Sequence, residues 1–98
     1  MTREGPRTEV RVSTGPAEVR LPEAPTTGYR WSLPDPPPAV SLERTDYEPP
    51  ARDREGGEGE RIFFLRVTKE GTFDLEFHLG RSFEAEAVER RTVTLIAE

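Results

Sequence analysis

The chain contains no cysteine. That absence excludes disulfides, thiolate metal sites and a cysteine nucleophile, and it leaves stability to packing. Histidine occurs once, at His78, so paired imidazoles for metal binding or proton relay are excluded as well. No stretch approaches the ~20 apolar residues of a membrane span. The polar opening from Met1 to Val12 also lacks the apolar core of a signal peptide. As written the chain reads as cytoplasmic, and as secreted or periplasmic if a leader was removed and replaced by a starting methionine. Helix signals are scarce, because ten prolines and eight glycines punctuate the sequence and no window holds apolar residues at i, i+3, i+4, i+7 over several turns.

Formal net charge is −5, with 14 Lys and Arg interspersed among 19 Asp and Glu. No basic face exists to displace counterions from a phosphate backbone, so nucleic acid is not an expected partner. The 98 residues fit one domain, 1–98, with room for one core. Apolar residues make up 33% and charged residues 34%, an average that leans toward disorder. The apolar residues nevertheless cluster in alternating runs, and the pattern outweighs the average.

Those runs read as strands. Thr8 to Ser13 places Val10 and Val12 on one face. Ala17 to Leu21 turns Val19 and Leu21 inward and Glu18 and Arg20 outward, and Thr14-Gly15-Pro16 reads as the turn between them. A third strand passes through Tyr29, Trp31 and Leu33 and stops at Pro34-Asp35-Pro36-Pro37-Pro38, where missing N–H groups forbid a central ladder position. A short strand follows at Val40 and Leu42, then the polar stretch Ala51 to Glu60. The strongest strands are Arg61 to Thr68 and Thr72 to Leu79, joined by Lys69-Glu70-Gly71, and Thr92 to Ala97 closes the chain. In Thr72 to Leu79, Phe73, Leu75, Phe77 and Leu79 alternate with Asp74, Glu76 and His78, the signature of a sheet with one wet face.

About seven short strands, turns at intervals of about ten residues and a lone tryptophan on the third strand predict an all-β, immunoglobulin-like β-sandwich without a disulfide. Trp31 is assigned to the core, where burying ~150–250 Å² of indole contributes roughly 4–6 kcal/mol as an upper bound.

Catalytic constellations are wanting. His78 falls on the polar face of a strand with no partner ligand in sequence. Asp53 to Glu60 has neither the spacing of a calcium loop nor the ending of a phosphate loop, so no metal or cofactor is expected. Glu84, Glu86 and Glu89 read as a solvated loop or strand edge.

Three segments are unusual as plain connectors. In Ala24-Pro25-Thr26-Thr27-Gly28-Tyr29, Pro25 and two β-branched threonines stiffen a loop that Gly28 allows to bend. Gly56-Gly57-Glu58-Gly59 is permissive and lets backbone approach another surface. Gly80-Arg81-Ser82-Phe83 offers an arginine and an aromatic, residue types enriched at binding hot spots. An immunoglobulin-like sandwich can bring all three to one end.

These segments resemble the chagasin family of inhibitors of papain-like cysteine proteases, from about Glu18 to Leu95. The family's Asn-Pro-Thr-Thr-Gly-aromatic-x-Trp pattern stands as Ala24-Pro25-Thr26-Thr27-Gly28-Tyr29-Arg30-Trp31, with only the leading Asn replaced. The family's Gly-x-Gly-Gly loop corresponds to Gly56-Gly57-Glu58-Gly59, and its Arg-Pro-Trp to Arg81-Ser82-Phe83. The resemblance implies an inhibitor, not an enzyme, that wedges the threonine loop into the groove of a papain-like cysteine protease, and strand edges flanked by Pro and charged residues point to a monomer. Pro25, Thr26, Thr27, Gly28 and Tyr29 would enter the groove, with Gly56, Gly57, Glu58, Gly59, Arg81, Ser82 and Phe83 gripping either side. The changes at Ala24, Glu58 and Phe83 imply weaker inhibition than in a relative with intact motifs. An immunoglobulin-like interaction module that binds a non-protease partner is the alternative.

Overall fold

The computed structural model describes residues 2–51, 58–81 and 86–98. They form eight strands: β1 (Arg3–Glu4), β2 (Thr8–Val12), β3 (Gly15–Glu23), β4 (Arg30–Ser32), β5 (Val40–Glu48), β6 (Gly59–Val67), β7 (Gly71–Gly80) and β8 (Glu89–Ala97), with a 3₁₀ turn over Pro25–Thr27. One sheet has the order β1-β8-β7-β4, with β2 also on β8; the other is β3-β6-β5. β1 and β2 lie parallel to β8, opposite Glu89 and Arg90 and then Val93 to Ala97. The remaining ladders are antiparallel.

Alternation explains the sandwich. Val19 and Leu21 of β3, Phe63, Leu65 and Val67 of β6, Trp31 of β4, Leu75 and Phe77 of β7 and Val93, Leu95 and Ala97 of β8 form one buried cluster. Each comes from the dry face of its strand, and the two dry faces meet. At the centre Phe63 and Phe77 are fully buried and pack edge to face, ring centroids 4.8 Å apart at 61°. Trp31 is 4% exposed, a core residue as its position in the pattern required. The four-residue apolar run of β6, Ile62 to Leu65, is double-sided. Ile62 and Phe64 alternate to the opposite face, where the Arg44 guanidinium lies 3.8 Å from the Phe64 ring centroid, a cation over an aromatic face.

The expected immunoglobulin-like sandwich is present, with several boundaries redrawn. Gly15 and Pro16 belong to β3 rather than to a turn, so the link from β2 narrows to Ser13-Thr14, and β2 and β3 lie in different sheets. The third strand ends at Ser32, although Leu33 just beyond it is buried. The short strand expected at Val40 and Leu42 extends to Glu48. A register shift between Leu42 and Arg44 moves the alternation by one residue, which breaks the sequence signal midway. β8 begins at Glu89 rather than Thr92, and β1 has no apolar residue to announce it.

Phe63→Ala and Phe77→Ala are each expected to lower unfolding free energy by about 3–5 kcal/mol, measured by denaturant unfolding. The double variant should show about 0.5–1.5 kcal/mol of coupling. A loss under about 1 kcal/mol for either single variant would contradict a core centred on this pair.

Candidate functional site

Three connections start and finish at one end of the sandwich. They are 24–29 between β3 and β4, 49–58 between β5 and β6, and 81–88 between β7 and β8. Register places their bordering strand ends together: Glu23 lies opposite Gly59 and Glu48 opposite Glu60 in one sheet, Arg30 opposite Gly80 and Leu79 opposite Glu89 in the other.

Segment 24–29 is closed on itself. The Thr27 N–H and hydroxyl both donate to the Ala24 carbonyl, at 3.2 and 2.7 Å, and the same hydroxyl accepts from the Tyr29 N–H at 3.2 Å. One threonine side chain thus binds both flanks of its own turn. Gly28 follows with φ +79°, a left-handed conformation that disfavours any residue with a Cβ. Thr26, Thr27 and Gly28 are exposed, and the Thr26 side chain makes no hydrogen bond among the described residues, so it is presented outward from a fixed backbone.

The stem beneath this turn holds a buried ion pair. Glu23, 2% exposed, accepts from Arg61, with Nη2 to Oε2 at 2.7 Å and Nε to Oε2 and Oε1 at 3.1 and 3.3 Å. Its Oε1 also accepts from the Trp31 backbone N–H at 2.8 Å. The carboxylate on the last residue of β3 therefore holds the strand that follows the loop, across the gap between sheets. Trp31 Nε1 donates to the Pro22 carbonyl at 2.7 Å and Tyr47 Oη to the Glu23 carbonyl at 3.3 Å. Gly59, the first residue of β6, is buried; a Cβ there would stand 2.2 Å from the Glu48 carbonyl and 2.3 Å from Tyr47 Oη, so only glycine lets β5 and β6 approach beside Glu23.

On the outer face the Arg20 guanidinium donates to Glu18, Glu48 and Glu60, which pushes its pKa further up and links β3, β5 and β6 below the second connection. The third connection is met by Arg81, whose guanidinium lies 4.3 Å from the Tyr29 ring centroid. The first and third segments are therefore in contact. Beside them runs an open cleft of about 770 Å³ lined by Gly28, Tyr29, Arg81, Glu86, Tyr47 and Arg61, among others.

Of the residues singled out in sequence, Thr26, Thr27, Gly28, Tyr29 and Arg81 come together; Pro25 opens the 3₁₀ turn, and Glu58 is exposed next to Gly59. Gly56, Gly57, Ser82 and Phe83 lie outside the described residues. His78 is half-buried, 3.2 Å from a Glu76 carboxylate oxygen. Among the described residues no group of three or more His, Cys, Asp or Glu side chains is placed to hold a metal ion. The sequence reading overlooked Glu23, Arg61 and Tyr47. For Glu23 and Arg61 the signal was phase: each continues the inward alternation of its strand, and a charge at an inward position calls for a partner; Tyr47, on the mostly exposed and bulged β5, carried no such signal.

Glu89 corrects the reading of a solvated edge. It is 3% exposed and accepts from Arg3 and from Arg91 Nε, the latter at 2.7 Å. Burial alone would raise its carboxyl pKa, but the hydrogen bonds and charges of Arg3 and Arg91 outweigh burial and hold it below the usual range. A carboxyl lowered in the folded state stabilises the fold above its unfolded value of about 4.3, and this contribution is lost as pH falls through the folded value. Glu89→Gln is expected to flatten the loss of stability between about pH 6 and about pH 3, measured by urea unfolding. An undiminished slope would contradict the assignment.

Comparisons with known proteins agree with this architecture. Residues 13–96 match the family model described as chagasin family peptidase inhibitor I42. No curated protein sequence matches the chain significantly. Among solved structures, the cysteine protease inhibitor EhICP2 of Entamoeba histolytica is similar at TM-score 0.67 and 19% identity, over 94% of this chain and 85% of that one. Amebosin is similar at TM-score 0.68 and 19% identity, over 100% of both chains. PbICP-C, solved in complex with falcipain-2, is similar at TM-score 0.59 and 14% identity, over 99% of this chain and 91% of that one. At such identities the structural likeness concerns the fold, whereas the family match covers most of the sequence: the chain belongs to the chagasin family of peptidase inhibitors, and is not an enzyme.

Proposed function

We propose that this protein, acting as a monomer through a single domain over 1–98, inhibits papain-like cysteine peptidases by filling the active-site groove with the end of the sandwich described above. The observation that carries the reading is the self-closed 24–29 turn, which offers Thr26 outward from a backbone fixed by Thr27 and Gly28. Thr26 stands nearest the catalytic cysteine and histidine of the target. Gly56, Gly57, Glu58 and Gly59 on one side and Arg81, Ser82 and Phe83 on the other grip the groove walls. The complex of PbICP-C with falcipain-2 supports a cysteine peptidase as the partner class.

The physical reason for potency is preorganisation. A turn already closed by three hydrogen bonds loses little conformational freedom on docking, so an interface of the usual ~1,600 Å² can bind tightly. The same turn protects the inhibitor. Its backbone is coiled through Pro25–Thr27, and the bonds within it oppose the extended form in which a peptide bond is presented for cleavage.

Titration against papain with a small fluorogenic substrate tests the reading. The expected result is competitive inhibition with the chain left uncut, weakened at least about tenfold by Thr26→Trp and by Arg81→Ala. Cleavage within Thr26-Thr27-Gly28 during stoichiometric inhibition, or no effect of a folded protein on papain and cathepsin-like peptidases, would contradict it; the latter outcome would favour an interaction module with a different partner.

A further inference from the structure

Glu23 and Arg61 lie outside the surface proposed to meet the peptidase, yet they form the most buried ion pair among the described residues, with side chains 1% and 13% exposed. Their placement is specific. Glu23 ends the strand that enters the 24–29 turn, and its carboxylate holds the backbone N–H of Trp31, just beyond the turn. Arg61 is two residues past Gly59, on the strand that leaves the glycine segment, and its guanidinium lies 5.5 Å from the ring centroid of Tyr47 on the strand that enters it. One carboxylate and one guanidinium therefore touch the stems on both sides of two loops.

We propose that Glu23 and Arg61 are positioning residues that fix the 24–29 turn relative to the strand ends, β5 and β6, from which the glycine segment leaves, so that the wedge docks as one body with the strands beneath it. A rigid core does not need this pair, because Phe63, Leu65, Leu75, Phe77 and Leu95 are each at most 1% exposed without it. What the pair adds is a fixed geometry between β3, β4 and β6 at the one end where β4 is only three residues long and supplies few ladder bonds. The Arg fork sets direction as well as distance, which a lysine ammonium does not. The carboxylate also occupies the Trp31 N–H, which blocks that position from pairing with a foreign strand.

This inference rests on the inhibitory reading for its consequence, but its geometry can be tested without a peptidase. The double variant Glu23→Gln/Arg61→Met removes both charges while keeping bulk and an acceptor for Trp31, and such replacements leave a fold stable. Backbone ¹⁵N order parameters at Thr27, Gly28 and Tyr29 are expected at about 0.85 in the native protein and below about 0.6 in this variant, with Leu75 and Val93 unchanged. Arg61→Lys, the milder arm should the double variant fail to fold, should give a smaller decrease at the same three residues. Equal order parameters in native and variant proteins, or a loss shared equally with Leu75 and Val93, would overturn the proposal. Against papain, the complex of the folded variant should dissociate at least about tenfold faster than that of the native protein; if the native protein leaves papain uninhibited, the inhibitory reading falls while the relaxation data still decide the positioning role.

Discussion

A carboxylate and a guanidinium buried where strands of both sheets converge constrain everything above them. Glu23 ends β3, Arg61 follows the start of β6, and Trp31 of β4 donates its backbone N–H to the same carboxylate. Removing one partner of such a pair and stranding the other costs about 3–5 kcal/mol, whereas the intact pair adds little net stability over an apolar substitute. Its value is therefore geometric. The apolar core holds the sheets together, and the ion pair decides how their ends are aligned. Gly59 completes the arrangement, since a Cβ there would meet the Glu48 carbonyl and the Tyr47 hydroxyl.

Above this layer the exposed residues differ in how they are held. Thr27 spends its hydroxyl on the turn itself, and Gly28 adopts a left-handed backbone, so Thr26 is the side chain left to face outward. Arg81 stacks on Tyr29 and couples the third connection to the first. At the base of that connection Glu89 is held between Arg3 and Arg91. A buried carboxylate that accepts from a guanidinium thus stands at the base of both the first and the third connection. A loop end built this way loses little entropy when it meets a rigid groove, and this is what a competitive inhibitor requires.

Much of this was legible in the sequence, for identifiable reasons. Clean alternation in Thr72 to Leu79 and a tryptophan on a short strand specify a two-layer β fold, and the Pro25-Thr26-Thr27-Gly28 run is distinctive enough to identify the family. Alternation fails where a strand has no dry face or changes phase. β5 is exposed along most of its length and bulged between Leu42 and Arg44, and β1 is two charged residues that contact β8 by backbone pairing. Glu23, Arg61 and Glu89 were passed over because charge was equated with solvent. In each strand the phase pointed inward, and the opposite charges needed to satisfy them stood on neighbouring strands.

A crystal structure of the protein bound to papain tests the central claim most directly. The account predicts Thr26 within van der Waals reach of the catalytic cysteine, the 24–29 turn in the conformation of the free protein, and Glu23 still paired with Arg61 beneath it. A complex formed through another face of the sandwich, or one in which the turn unwinds into an extended strand along the groove, would contradict it.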